Sequence, residues 1–193
     1  MRSRSFASGL TTSLLLAGIA GALLTTASIA PAAADDASPA STIRAATEQY
    51  QDVAAAEDAG YALLIDTEGI SCIDSEDGAM GIHYANGDLV AGSVIDALKP
   101  QVLVFEPGKD NALHLTAVEY VVLQETWDAS HDAAPELFGQ EFMLTPEGNR
   151  YGLPAFYSLH DWAWKTNPDG EFAMYNPDVT CPAALMAPAT PTS

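Results

Sequence analysis

Basic residues are scarce in this chain. Seven Lys and Arg stand against 26 Asp and Glu over 193 residues, for a formal net charge of −19. So acidic a chain repels phosphate backbones, which excludes nucleic acid as a partner and disfavours anionic membrane surfaces. Cationic ligands and metal ions stay open, although solubility alone is the simpler account of the acidity. Cysteine is nearly absent too, with only Cys72 and Cys181. That is too few, too far apart, for a thiolate metal site or a CxxC redox pair, so the pair reads as a disulfide made in an oxidising compartment. It would close a loop of more than 100 residues, for which chain entropy predicts a stabilisation of roughly 4–5 kcal/mol. Motif chemistry is thin as well. There is no glycine-rich phosphate loop, no HxH or HExxH spacing and no nucleophile elbow around Ser71 or Ser158. Asp74-Ser75-Glu76-Asp77-Gly78 lacks the full calcium-loop pattern and reads as a solvated loop.

What is present begins with a leader. Arg2 and Arg4 precede a charge-free apolar run from Leu10 to Ala30, and Ala32-Ala33-Ala34 offers the small-residue cleavage signature of a secretory signal peptide. Residues 1–34 are therefore expected to be removed, leaving a secreted, extracytoplasmic protein. Five basic residues then remain (Arg44, Lys99, Lys109, Arg150 and Lys165). No second apolar stretch is long enough to cross a bilayer, so no membrane association is expected after cleavage. Residues 35–40 read as a linker, 41–182 as a single domain, and 183–193 as a disordered, Ala- and Pro-rich tail.

Within the domain, Ser41 can cap a helix with Ile43, Ala46, Tyr50, Val53 and Ala54 at helical spacing and Gly60 as its stop. This predicts one amphipathic helix of about 17 residues. Strand signals follow. Met80 to Ala85 ends at the turn signal Asn86-Gly87. Ser93 is placed to cap a short helical turn before Pro100. Gln101–Glu106 and Ala112–Leu123 flank a turn at 107–111, and Phe156–Lys165 forms the last strand. The connection from Thr126 to Pro154 is long enough to fold over the core as a lid, and it carries Trp127, His131, Phe138 and Phe142. Few helices and several hairpin-linked strands predict an α+β fold, an N-terminal amphipathic helix packed on a curled antiparallel sheet.

Strand alternation assigns side chains to faces. On Ala112–Leu123 one face reads Leu113, Leu115, Ala117, Glu119, Val121 and Leu123, which makes Glu119 the single charge on an apolar face. A carboxylate there must be paired, protonated or coordinating, because burying it bare costs several kcal/mol. The last strand places Phe156, Ser158, His160, Trp162 and Trp164 together, and His83 shares its face with the small residues Gly81 and Ala85. His83, Glu119 and His160 are thus candidate ligands for one divalent transition metal in a two-His-one-carboxylate set, with Tyr84 and Trp162 shaping a pocket. The competing reading has each histidine cap a backbone carbonyl, the better account of His114 and His131, while Glu119 pairs with Arg150 or Lys165.

Several strings resemble a family of uncharacterised exported bacterial proteins. They are Gly78-Ala79-Met80-Gly81-Ile82-His83-Tyr84, Val102-Leu103-Val104-Phe105-Glu106-Pro107, Val118-Glu119-Tyr120, Leu137-Phe138-Gly139-Gln140, Leu159-His160, Trp162-Ala163-Trp164-Lys165, Asn167-Pro168 and Asn176-Pro177. The resemblance spans about Ala46 to Cys181 and carries no known activity. Asp161 departs from its pattern, which is apolar there. Three kinds of function follow from these residues. The first is binding of a metal or small polar ligand at His83, Glu119 and His160. The second is an extracellular enzyme using metal-bound water or Glu119 as a general base. The third is a non-catalytic cell-surface or protein-interaction module that uses exposed aromatics such as Trp127 and Phe138.

Overall fold

The computed structural model describes residues 38–109 and 112–186. The leader 1–34 and the end of the expected tail lie outside the described residues. The expected helix is broken into three pieces: α1 (Pro39–Thr47), a 3-10 turn (Glu48–Gln51) and α2 (Val53–Asp58). Ser38, rather than Ser41, caps α1 by accepting from the Ser41 N–H. The break falls at Asp52, whose extended backbone ends one segment while its carboxylate accepts from the Ala54 N–H and starts the next. Ile43 and Ala56 still point into the core and are fully buried.

The remaining strands are β1 (Ala62–Leu63), β2 (Cys72–Ser75), β3 (Gly78–Ala85), β4 (Val102–Pro107), β5 (Leu113–Leu123), β6 (Glu136–Leu137), β7 (Gln140–Glu141), β8 (Met143–Thr145) and β9 (Phe156–Asp161). The main sheet is antiparallel in the order β1-β3-β4-β5-β9-β8, with β2 also pairing β3, while β6 and β7 form a separate small hairpin. Strands β1 and β8 end the order, so the sheet is open rather than curled on itself. The α+β class with an antiparallel sheet is what the structure has.

Several local expectations shift for identifiable reasons. Asn86-Gly87 opens the short helix α3 (Gly87–Val90), because the Asn86 side chain accepts from the Leu89 N–H instead of turning a hairpin. The segment after Ser93 is not helical. A further short helix, α4 (Gln124–Asp128), follows β5, and α5 (Ala183–Met186) forms where a tail is expected, with the Leu185 carbonyl accepting from the Ser71 N–H. The last strand stops at Asp161, because the Trp162 N–H turns to the Glu171 carbonyl and the Trp164 and Lys165 N–H groups both turn to Thr116.

The sheet buries both faces. On the helix side, Ile82, Tyr84, Leu103, Phe105, Val118, Tyr120 and Leu159 pack with Ile43 and Ala56. On the other side, Val102, Val104, Ala117, Val121, Phe156, Trp162 and Val179 form a second, smaller core. Leu115 belongs to the helix side, against simple alternation, because a bulge opposite Val104/Phe105 leaves Thr116 out of register. Cys72 and Cys181 form a disulfide spanning 109 residues, which fastens β2 to the C-terminal segment. Among the described residues, no helix is long and apolar enough to cross a membrane.

Candidate metal centre

His83, Glu119 and His160 come from three different strands, and register brings them together. Glu119 lies directly across from His160 on the β5–β9 ladder. Val102 of β4 pairs with both Glu119 and Ala85, and Val104 pairs with both His83 and Ala117. His83 is therefore one diagonal away from Glu119 across β4, on the same face. Between them sit only Val and Ala side chains, short enough for the imidazole and carboxylate to meet above the intervening strand. Gly81 is required in β3. It sits beside the β2–β3 bulge at φ +106°, and a Cβ there would meet the Phe105 carbonyl oxygen at 2.7 Å.

The three groups are almost dry, with His83 2%, His160 5% and Glu119 9% exposed. The two Nε2 atoms are 3.4 Å apart, close enough for one neutral ring to donate to the other. Glu119 Oε2 is 3.8 Å from His83 Nε2, and Glu119 Oε1 is 3.5 Å from His160 Nδ1. One ligand atom from each residue can be chosen such that all lie within 4.8 Å of one another. Ligands at about 2.05 Å around a tetrahedral ion stand about 3.3 Å apart, so the triad is near the spacing a metal imposes.

Burial pushes the pKa of both histidines down to about 4, with Glu119 pulling the His83 value partly back up. Both rings are accordingly neutral at physiological pH and present lone pairs without first shedding a proton. Burial pushes Glu119 the other way, up, against the opposing pull of His83 and a hydrogen bond from Ser158. Among the described residues, no Lys or Arg pairs with it. Arg150 pairs with Asp66 at 2.8 Å and Lys165 with Glu106 at 2.7 Å, so the ion pairs expected for Glu119 are made elsewhere. His83 Nδ1 is buried without a well-formed hydrogen bond and has only a weak contact with the Gly81 backbone.

The supporting residues divide. Trp162 is beside the triad, its ring 6.3 Å from His160 and its indole N–H donating to the Ala173 carbonyl at 2.6 Å. Tyr84 is not. As the neighbour of His83 in β3 it points to the helix side and packs edge-on against Phe105. Trp164 likewise leaves the face expected for it and donates to the Thr47 hydroxyl on the helix side. His131 stacks on Trp127 and meets the Trp127 carbonyl at 2.9 Å, a capping role at the end of α4. His114 lies exposed near the start of β5, outside the cluster. Trp127 and Phe138, expected to be exposed, are half-buried. Trp127 donates to Ala133 and Phe138 packs near Tyr120 and Phe172.

Tyr151 and Asn149 are site residues that the sequence reading missed. They lie on the 146–155 strap over the second face, within the stretch read as a lid. Asn149 ties the strap to itself through the Pro146 and Leu153 carbonyls, and Thr67 grips it at the Arg150 carbonyl. Their only signal was the turn-forming sequence Pro146-Glu147-Gly148-Asn149, which marks a turn but not what lies beneath it.

No family model, no curated protein and no solved structure matches the chain. The fold and site together define an α+β domain with an open antiparallel sheet and a buried two-histidine, one-carboxylate cluster.

Proposed function

We propose that His83, Glu119 and His160 bind one divalent transition-metal ion. The observation carrying this is an uncompensated carboxylate and two neutral imidazoles meeting at ligand spacing inside an otherwise apolar core. A buried carboxylate without a cation destabilises a fold, and a divalent ion is the partner that satisfies all three groups at once. Three protein ligands leave coordination positions open, and Glu119 and His160 both line a cleft of about 260 Å³ under the strap. Water or a small ligand can reach the ion from that side, where the metal would act as a Lewis acid if the protein is an enzyme.

The disulfide, the leader and the motif resemblance support export, so the metal would be acquired in an oxidising, extracytoplasmic setting. An aromatic interaction surface is the weaker reading, because Trp127 and Phe138 are half-buried and pack in part against the protein itself. Elemental analysis of protein purified without chelator or His tag tests the proposal, beside a His83→Ala/His160→Ala double variant. About one equivalent of metal in the wild type, lost in the variant, is expected. No metal after incubation with zinc, copper, manganese and iron salts would overturn it.

A further inference from the structure

A second cleft reaches the cluster at Glu119. It encloses about 350 Å³ and is walled by Leu63 of β1, Val90 of α3, Val102, Val121, Leu153 and Phe156. Glu119 is the one charged residue on its lining, and Tyr151 supplies the only other polar side chain. The cleft under the strap, lined by more polar side chains, shares Glu119, Tyr151 and Phe156 with it. The Glu119 carboxylate therefore stands where this apolar cleft adjoins the one that also reaches His160.

Resting on the metal reading, we infer that this site binds a small monoanionic amphiphile, with its head on the metal and its aliphatic or aromatic tail in the apolar cleft. Charge selects the head. A divalent ion held by two neutral histidines and one carboxylate keeps a net charge of +1, which one anionic oxygen-donor group neutralises. Without the metal, the same head would face Glu119 in a strongly acidic protein and be repelled. Shape and chemistry select the tail. The cleft lies at the small end of the range for small-molecule sites, and its walls offer dispersion contact with almost no hydrogen-bonding groups. Leu63, 42% exposed at the rim, is an apolar surface that such a tail would cover.

Calorimetric titration of the zinc-loaded protein with a hydroxamate series, from acetohydroxamate through butano- and hexanohydroxamate to octanohydroxamate, tests this. Affinity should rise about three- to fourfold per added methylene until the cleft is full. A Leu63→Gln/Leu153→Gln variant should flatten that rise while leaving acetohydroxamate affinity and zinc content unchanged. Leu63→Gln alone, at the exposed rim, should reduce the slope in part and guards against a folding defect in the pair. Zinc and acetohydroxamate binding with no gain from chain length would overturn the tail assignment and leave the metal centre standing. Failure to hold zinc, copper, manganese or iron would overturn both, and the metal content of the titrated sample separates the two failures.

Discussion

Two carboxylates are buried on neighbouring rungs of the β5–β9 ladder, on opposite faces of the sheet. Glu119 lies across from His160 on one face, while Asp161 lies across from Val118 and points to the other. Glu119 has two imidazoles within 4 Å and a hydroxyl donor. Asp161 is fully buried, and neither of its oxygens has a hydrogen-bond partner. Among charges, Glu171 repels it and Arg44 attracts it to a lesser extent. Burial thus has different meanings on the two faces. On one face the charge is part of a convergent ligand set, and on the other it is a misfit among apolar neighbours.

Zinc should break the comparison most strongly. At a free zinc concentration of 100 times its Kd, the ion should stabilise the wild type by about 2.7 kcal/mol, read as a rise in Tm. Glu119→Gln should abolish that rise, and Asp161→Asn should keep it whole. A rise that survives in Glu119→Gln would remove the carboxylate from the ligand set.

A smaller effect sharpens the contrast in the presence of chelator. Asp161→Leu should stabilise the protein by about 1–3 kcal/mol in urea titrations, because an unpaired buried carboxyl is replaced by apolar volume. The same variant should remain stabilised in zinc. Glu119→Leu, by contrast, should lose all benefit from zinc. Destabilisation by Asp161→Leu in both conditions would show that the carboxyl is satisfied by a group the fold depends on.

The smallest effect is a slope in pH. Burial, then repulsion from Glu171, raise the Asp161 pKa to about 7. The folded state therefore binds the extra proton between about pH 4 and 7, so this group's contribution to stability declines as pH rises through that window. His83 and His160, lowered to about 4, act in the opposite sense. Between about pH 4 and 6.5 the unfolded chain binds their protons more readily, and stability rises with pH. In chelator, Asp161→Asn should remove the Asp161 contribution, leaving the histidine slope opposed only by Glu119, whose pKa burial also raises, and diverge from wild type toward higher Tm as pH climbs from 4 to 7. Parallel Tm profiles would mean that Asp161 titrates normally.

Parts of this were legible in the residues. The β5 pattern marked Glu119 as a lone charge on an apolar face, since a period of two needs no tertiary information. The His160 and His83 positions followed from the same alternation, and the cysteine pair needed only counting. Helix continuity was not legible, because Asp52 serves equally well as a helical surface residue and as a cap. The fate of Tyr84 was legible by that alternation, since a neighbour of His83 in a strand faces the other side. That of Trp164 was not, because it lies beyond the point where β9 ends. Thr116 shows the same limit: a bulge depends on the partner strand, so Leu115 changed faces without any local signal.

By itself, the sequence determined the class of fold, the acidity, the disulfide partners and which polar side chains must lie on apolar strand faces. These follow from composition and from periodicities set by backbone geometry within each segment. Only the tertiary structure decided that three of those polar residues share one place, that Arg150 and Lys165 are committed to other acids, and that an apolar cleft ends at Glu119. Strand order and register, bulges included, set distances between residues 36 to 77 positions apart, and no local pattern encodes them.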